Sequence, residues 1–352
     1  MPNLLAIGIV GVSAMDVIAL QPNAGLDKGG TALLREGIQL KPGGMAVNCA
    51  SAIANLGGNA RLVMRIPNRG VLGDLIVRQL SSLFRGQEAE IAIPFDAEPC
   101  SCISLVQTSE ENEVGHPRQR TFMFHRSHEA FITSDEFISL RKQFASSLRH
   151  IHFAGIGDSD DQKTELLLHK GVRETLEKLK LEGITLSCDF VPRKETHSSS
   201  SWQSMIRPGL ELMDFMMPSD YETLMWCPQG VLDNERARVE KAGRAFQSDF
   251  SRSFVVVKSS NRGCYVPSGD SGRGRWVPPI EAIHVLDPTG AGDVWCGGFL
   301  HAMMGYSRMQ ACIVGNCVAG DSLRSWGGSG VVSSMDKVIQ IAERHPLWQD
   351  VL

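Results

Sequence analysis

The sequence lacks the features that mark several classes of protein. It has no long basic stripe and its net charge is −4, so we do not expect nucleic acid as a partner. No apolar run approaches the roughly 20 residues that a membrane-spanning helix needs. The first residues have neither the basic start nor the cleavage site of a signal peptide. Together these absences predict a cytoplasmic protein without nucleic-acid or membrane partners.

Two nucleotide-binding motifs and the usual metal-site spacings are missing as well. The pattern Gly-x-x-x-x-Gly-Lys-Ser/Thr does not occur, which argues against a P-loop enzyme. Gly8 and Gly11 follow a predicted strand but do not complete the dinucleotide fingerprint of a Rossmann dehydrogenase. The nine cysteines are scattered, and their spacings match no zinc site. We therefore expect reduced thiols in the core or on the surface.

What is present is an alternation of short apolar runs with longer amphipathic ones. Its 352 residues are 43% hydrophobic and 21% charged, which is ordinary for an enzyme with a large core. The alternation predicts an α/β fold whose mostly parallel sheet is covered on both faces. Predicted strands are 4–12, 61–66, 151–154, 185–189, 215–217 and 254–258. Predicted helices are 46–56, 73–84, 164–181, 219–225, 235–246, 291–304, 309–325 and 335–344.

Two stretches interrupt this alternation. Residues 102–107 and 121–125 resemble paired strands joined by a polar loop, and residues 17–41 have no strong helical pattern. Extended segments of this kind do not easily join a parallel sheet, so we expect a small separate sheet that acts as a lid. Plain surface hairpins are the alternative. The predicted lid comprises 17–42 and 98–127, and the predicted core comprises 1–16, 43–97 and 128–352.

The strongest chemical signal is the segment DPTGAGDVWCGGFL at residues 287–300. Small residues at the start of a helix leave backbone N–H groups approachable, and with the helix dipole these groups form an anion site. Amide groups of this turn could stabilise the charge of a migrating phosphoryl group, while Asp293 accepts the proton of an attacking alcohol. The alternative is an aspartate that only complements the helix dipole. The residues of this predicted catalytic site are Gly290, Ala291, Gly292 and Asp293.

A second signal lies at residues 43–58. Gly43 and Gly44 precede a predicted helix, and paired glycines let a ligand approach the backbone closely. Asn48 places a polar amide group in the first turn of this helix. A loop glycine pair followed by a capping residue would explain the same pattern. The segment ends with Leu56 and two further glycines.

Both signals resemble the two signatures of the PfkB (ribokinase-like) family of carbohydrate kinases. The 287–300 segment is similar to the second signature, and 43–58 is similar to the first. Gly73 matches a later glycine of the first signature, but Arg69 and Gly70 replace the usual acidic pair. The resemblance implies a ribokinase-like three-layer α/β/α sandwich with a small β-sheet lid. It implies ATP-dependent phosphorylation of a sugar or sugar-acid hydroxyl, with Asp293 as general base.

The resemblance also implies a substrate site. Asp16 follows the first predicted strand, at a position where an aspartate of the family binds sugar hydroxyl groups. An ionised carboxylate can accept hydrogen bonds from two hydroxyl groups at once, which suits a diol. With Asp16, the predicted substrate-binding residues are Gly43, Gly44 and Asn48. Arg126 or His128 would supply further contacts from the lid.

On the nucleotide side, residues 257–263 are similar to a Lys-x-Gly-x-x-Gly turn that lies against ATP in the family. Ser260 stands where that pattern has its first glycine. Glycines at 327–330 are similar to a loop near the adenine and ribose, although a glycine-rich helix terminator explains them as well. The predicted nucleotide-binding residues are Lys258, Ser260, Gly263 and Gly328.

For the metal, Glu222 matches the glutamate of a family Pro-Asn-x-x-Glu segment that organises the water shell of Mg²⁺. Ser219 replaces the asparagine of that segment, and Ser219 with Glu222 also forms a capping-box pattern. Asp189 and Arg193 are similar to a family Asp-x-Asn-x-Arg run, with Val191 in place of the asparagine. Arg193 would then contact a phosphate group.

The resemblance therefore implies ATP and Mg²⁺ as cofactors and a small sugar-like molecule as substrate. Some relatives need K⁺ near the loop that matches Asp287, so a monovalent cation stays open, as does a homodimer formed through the lid. Two alternative functions remain. One is a nucleoside (adenosine-like) kinase of the same fold, and the other is a non-catalytic sugar-binding regulator, against which the intact Asp293 and its glycine turn argue.

Overall fold

The computed structural model describes residues 6–21, 37–67, 70–84, 90–96, 99–107, 120–157, 165–191, 200–227, 234–267, 274–280, 285–330 and 332–349. Its strands are β1 (Ala6–Val10), β2 (Ala14–Gln21), β3 (Gln39–Gly43), β4 (Ala60–Pro67), β5 (Glu90–Phe95), β6 (Cys100–Gln107), β7 (Arg120–His125), β8 (Leu148–Ile156), β9 (Thr185–Phe190), β10 (Phe215–Met216), β11 (Phe254–Val255), β12 (Val257–Lys258), β13 (Cys264–Val266) and β14 (Arg275–Val277).

The helices alternate with these strands. None of those in the described ranges is both long and apolar enough to span a bilayer. They are α1 (Met45–Asn55), α2 (Val71–Leu83), α3 (Ser134–Ser139), α4 (Arg141–Ser147), α5 (Lys170–Leu181), α6 (Ser200–Leu210), α7 (Asp220–Trp226), α8 (Glu235–Asp249), α9 (Ala291–Ala302), α10 (Arg308–Ser322) and α11 (Met335–Ala342).

A seven-stranded sheet lies at the centre, in the order β11-β10-β9-β8-β1-β4-β5. Every neighbouring pair in it is parallel. All five residues of β1 are buried, as expected for a strand covered on both faces. Because successive side chains point to opposite faces, Ile7 and Ile9 belong to one apolar cluster while Ala6 and Val10 belong to another.

The two clusters fill the two interfaces between the central sheet and the helical layers that cover its faces. The first contains side chains of α1, α2, α9, α10 and α11, and the second contains side chains of α3 to α8. The sandwich predicted from the alternation and the resemblance is confirmed. In a parallel sheet the carboxyl ends of the strands share one edge, where ligands of α/β proteins bind. Asp189, in β9, lies near this edge.

A separate four-stranded sheet has the order β3-β2-β6-β7, so the expected small sheet is present. Strand β2 pairs antiparallel with β3 and parallel with β6, and β6 pairs antiparallel with β7. Asp16 lies opposite Lys41 on one side and Cys102 on the other. The predicted division of the chain into core and lid stays a prediction. Its segments 22–36 and 108–119 lie outside the described residues, as does Arg193.

Two element predictions were wrong in their bounds. The run at 254–258 forms two strands, because β11 pairs with β10 whereas β12 pairs antiparallel with β13. Its four apolar residues at 254–257 contain no signal for this change of partner. The helix predicted from residue 164 begins at Lys170, after a 3₁₀ turn at Leu166–Leu168. The buried leucines of this turn continued the apolar pattern and so extended the predicted helix.

Candidate active site

The glycine turn before α9 has the geometry that its sequence predicts. Gly290 is the N-cap of α9 and has a φ of 71°, in the left-handed region that favours glycine. A Cβ atom on it would lie 2.5 Å from the Cα of Gly328 and 2.7 Å from Nδ2 of Asn48, so a larger residue has no room. Amide groups in the first turn of a helix have no carbonyl acceptor within that helix. The positive end of α9 therefore lies at this turn, where the amide of Ala291 donates a long hydrogen bond of 3.4 Å to the carbonyl oxygen of Pro288.

Asp293 lies in the first turn of α9 and is 9% exposed. Asn48, from the first turns of α1, donates a hydrogen bond from Nδ2 to Oδ2 of Asp293 at 2.8 Å. The Asn48 side chain is 4% exposed, and a Cβ atom on Gly328 would overlap it. The amide is thus confined between the glycines at 290 and 328, and it fixes the orientation of the carboxylate. Asn48 was predicted to bind substrate, and the described contact is with the predicted base.

Asp16 lies on β2 with 6% of its surface exposed. A Cβ atom on Gly43 would overlap its carboxylate, so only glycine fits at that position. Burial, together with the negative charges of Asp293 and Asp287, raises the pKa of Asp16 to about 7. Asp16 and Asp293 are therefore close enough for the charge of one to act on the other. Gly44, the N-cap of α1, has a φ of 92° and completes the turn.

Asp287 ties the glycine turn to the loop at 327–330. It is 1% exposed, and its Oδ1 accepts hydrogen bonds from the amide and hydroxyl of Thr289 at 2.9 and 2.6 Å. Its Oδ2 accepts from the amide of Gly327 at 2.9 Å. Both oxygens are therefore engaged within the protein. Gly328 packs against Gly290 behind the turn, and its predicted contact with the nucleotide stays a prediction.

Lys258 brings a positive charge to the same place. Its Nζ lies 3.4 Å from Oδ2 of Asp189 and 3.3 Å from Sγ of Cys296. A Cβ atom on Gly292 would lie 3.7 Å from this Nζ, so the ammonium group is beside the glycine turn. Sequence reasoning predicted Lys258 as a nucleotide contact but missed the roles of Asp189 and Cys296. The Asp-x-Asn-x-Arg resemblance singled out Asp189 without indicating its neighbour.

The loop after Lys258 has the backbone that its resemblance implies. Ser260 has a φ of 46°, which explains why a glycine suits this position in the similar pattern. Gly263 has a φ of 82°, and a Cβ atom there would overlap the carbonyl oxygen of Val277. Arg262 pairs with Asp220 at 2.7 Å and so anchors the loop to the start of α7.

Glu222 completes the carboxyl edge of the sheet. Ser219 and Glu222 form both hydrogen bonds of a capping box at the start of α7, so that interpretation is confirmed. Desolvation raises the pKa of Glu222 to about 7, although Lys258 and the amide of Ser219 oppose this shift. Another cation nearby would favour the ionised form. Because Mg²⁺ keeps many of its waters, a single carboxylate at this position fits the predicted role.

A second group of possible metal ligands has a different explanation. One atom each of His152, Asp189 and Cys296 lie within 4.8 Å of one another, and all three residues are buried. The ammonium group of Lys258 already contacts two of the three. The positive charge of that ammonium group would repel a cation placed at the same point. The group therefore surrounds a lysine rather than a metal ion.

Similarity to known proteins agrees with this arrangement. The family model for pfkB family carbohydrate kinase matches residues 107–331. A cytidine kinase from Thermococcus kodakarensis is 30% identical over 153 residues, which are 42% of this chain and 50% of that protein. A nucleoside kinase from Methanocaldococcus jannaschii is 36% identical over 92 residues, 26% of this chain and 30% of that protein. The chain thus spans about half the length of these relatives, or less.

Solved structures extend the similarity over nearly the whole fold. Ribokinase from Thermotoga maritima superposes with a TM-score of 0.68 at 18% identity, over 97% of this chain and all of that one. A candidate ribokinase II from E. coli, solved in complex with ATP and Mg²⁺, gives a TM-score of 0.70 at 19% identity over 97% and 100%. At these identities the likeness concerns the fold alone, whereas the family model covers more than half of the chain. The chain belongs to the pfkB family of carbohydrate kinases.

Proposed function

We propose that this chain transfers the γ-phosphate of ATP to a hydroxyl of a sugar or sugar acid, with Asp293 as the general base. One observation carries the proposal. A carboxylate held by Asn48 at 2.8 Å stands in the first turn of α9, directly after a turn that presents backbone N–H groups. Phosphoryl transfer needs such a base beside an anion site.

Binding of the acceptor is the first step. The Asp16 carboxylate accepts hydrogen bonds from two hydroxyl groups and so orients the sugar toward Asp293. Gly43 allows this because a side chain there would overlap Asp16. Burial raises the pKa of Asp16 to about 7, so in the free protein this carboxyl group is about half ionised near neutral pH. Hydroxyl donors stabilise the ionised form and lower that pKa when substrate binds.

The chemical step follows from the positions of the groups. The acceptor oxygen attacks the γ-phosphorus while its proton passes to a carboxylate oxygen of Asp293. The bond from the γ-phosphorus to the bridging oxygen breaks, and its electron pair leaves with ADP. The amide groups at the start of α9 stabilise the charge on the transferred group. Glu222 would hold water ligands of a bound Mg²⁺, which would neutralise charge on the ATP phosphates.

The test is a screen of ATP consumption over ketoses, aldoses, sugar acids and nucleosides. We expect Mg²⁺-dependent release of ADP with a small set of these alcohols and formation of a phosphorylated product. A wild-type protein that binds a sugar yet releases no ADP with any acceptor would support the non-catalytic regulator. The purified Asp293→Asn variant serves as the control for a contaminating kinase.

A second candidate, a nucleoside kinase, is favoured by one feature of the small sheet. Residues opposite one another in a sheet point to the same face. Phe124 lies opposite Cys102, and Cys102 lies opposite Asp16, so these three share the Asp16 face. Phe124 is 59% exposed and stacks with Phe122 at 5.6 Å between ring centroids. Strands lie ~4.8 Å apart, and β6 separates β2 from β7, so Phe124 is about 10 Å from Asp16. A nucleoside could span this distance, with its ribose at Asp16 and its base at Phe124.

The nucleoside candidate predicts a substrate-dependent effect of Phe124→Ala. If a base stacks on this ring, the variant should raise the KM for nucleosides by about tenfold, the loss of roughly 1–3 kcal/mol of stacking. The KM for free sugars should stay unchanged. Met123→Ala is the matched control, because Met123 is 49% exposed on the opposite face of the same strand. Equal effects of the two variants on all acceptors would speak against the nucleoside candidate.

A further inference from the structure

We propose that Lys258 is a catalytic residue that neutralises charge on the transferred phosphoryl group, and that Asp189 is the positioning residue that holds its ammonium group there. The proposal rests on the kinase function proposed above and extends it. Sequence reasoning assigned Lys258 only a contact with the nucleotide and assigned Asp189 no partner. The arrangement of their atoms carries the inference further.

The position of the ammonium group is the first argument. Lys258 is the last residue of β12, and its Nζ lies 3.7 Å from where a Cβ atom of Gly292 would stand. Gly292 is the residue before Asp293 in the first turn of α9. The charge therefore lies next to the amide groups that are expected to hold the phosphoryl group. Only 12% of the Lys258 side chain is exposed, so water screens this charge weakly.

The donor count is the second argument. An ammonium group has three N–H donors. Oδ2 of Asp189 and Sγ of Cys296 account for two, at 3.4 and 3.3 Å. The distance to Asp189 exceeds the roughly 2.8 Å of a tight ammonium–carboxylate bond. Within the described part of the chain no third acceptor is hydrogen-bonded to this group, so one donor is available to a phosphate oxygen.

Asp189 is itself held in place. It is 1% exposed, and its Oδ1 accepts a hydrogen bond from the amide of Gly155 at 2.7 Å. Gly155 lies in the carboxyl-terminal half of β8 and has a φ of 83°. The carboxylate is thus fixed by backbone on one side and faces Lys258 on the other. This geometry suits a residue that positions a charge rather than one that contacts substrate.

The surrounding groups keep Lys258 charged. Burial alone would lower its pKa, but Cys296, Asp189, Glu222 and Asp293 outweigh burial and hold the pKa above its ordinary value. Because burial raises the pKa of the Cys296 thiol, the carboxylates rather than Cys296 are what keep Lys258 charged near neutral pH. Several carboxylates therefore surround one ammonium group, which leaves an excess of negative charge before substrate binds. Lys258 keeps its proton throughout the reaction and acts by its charge, while the acceptor's proton goes to Asp293.

The test is a double-mutant cycle on kcat. Lys258→Met should lower kcat by about 100-fold or more with the KM for the acceptor within about threefold, since the charge acts in the transition state. Asp189→Asn should lower kcat by about tenfold, because the ammonium group loses its anchor. In the Lys258→Met background, Asp189→Asn should have no further effect, since Asp189 acts through Lys258. Independent, multiplicative losses would overturn the positioning role.

Stability is controlled separately. Each single variant leaves a buried charge without its partner, so both singles should melt at lower temperature than the double variant, which is neutral at this pair. The double variant therefore decides the catalytic role even if a single variant fails to fold. A folded double variant with wild-type kcat would overturn it, and one with about 100-fold lower kcat would support it.

A second lysine–aspartate pair supplies a matched control. Lys180 and Asp214 are 2.7 Å apart, near the amino ends of β9 and β10 and so at the opposite edge of the sheet. Lys180→Met and Asp214→Asn should leave kcat unchanged, whatever they do to the melting temperature. The proposed function fails if the wild type phosphorylates no acceptor. If the wild type is active and the double variant is equally active, only the proposed role of Lys258 is refuted.

Discussion

Replacing Asp293 by asparagine should lower kcat by about 10²–10⁴-fold while the fold and the binding of both substrates persist. The amide cannot accept the proton that the attacking hydroxyl must lose. It has nearly the same shape as the carboxylate, and its oxygen can still accept the hydrogen bond that Asn48 donates at 2.8 Å. The loss therefore belongs to the transition state, and the KM values should change little.

Initial rates with saturating ATP and acceptor measure this effect, and thermal melting with calorimetric binding confirms an intact protein. Asp321→Asn is the control, because the Asp321 carboxylate, which lies in α10, likewise accepts a hydrogen bond from an N–H group, here the backbone amide of Ser333 at 2.6 Å. It should leave kcat unchanged. Turnover near the wild-type rate in the Asp293→Asn protein would remove Asp293 from the mechanism.

Asp16→Asn should weaken acceptor binding and at the same time stabilise the folded protein. Burial and the neighbouring charges of Asp293 and Asp287 raise the pKa of Asp16 from 3.8 to about 7. Between these two pH values the folded chain binds more protons than the unfolded chain, so the free energy of unfolding falls as the pH rises. A shift of three pKa units corresponds to about 4 kcal/mol. This is an upper limit on how much the charged Asp16 lowers the free energy of unfolding above pH 7. Asparagine carries no charge and avoids this loss.

Denaturant unfolding at two pH values measures the stability effect. The variant should exceed the wild type in stability by up to a few kcal/mol at pH 8, and the difference should shrink toward pH 3, below the unfolded-state pKa of 3.8, where the aspartate is mostly protonated in both states. A difference that does not depend on pH would show that the Asp16 charge is not its cause.

The same variant should raise the acceptor KM strongly, by tenfold or more, and the ATP KM little. Asparagine accepts hydroxyl protons at only one oxygen, without a charge. In the wild type, kcat/KM for the acceptor should fall as the pH drops below about 7, because protonation removes the Asp16 charge from the free protein. Equal changes in the KM of both substrates would contradict the proposal that Asp16 binds the hydroxyl groups of the sugar.

Local sequence was enough to locate the centre of the site. A helix terminus is set by a few neighbouring residues, so the glycine turn before Asp293 and the glycine pair before Asn48 could be identified along the chain. The capping box of Ser219 and Glu222 is local in the same way and was also predicted. Elements without strong periodicity, such as β5 and the short helices α3 and α4, were missed, although α3 begins with a capping box of Thr133 and Glu136 that the local sequence also contains.

The sequence by itself therefore determined the family resemblance, the layered fold and the residue proposed as base. Only the tertiary structure decided what that base contacts, since Asn48 and Asp293 are 245 residues apart. It also decided that Lys258 meets Asp189 and that Phe124 shares a face with Asp16. Such contacts depend on strand order and register, which fix the neighbours of a side chain but leave no periodic trace in the sequence around it.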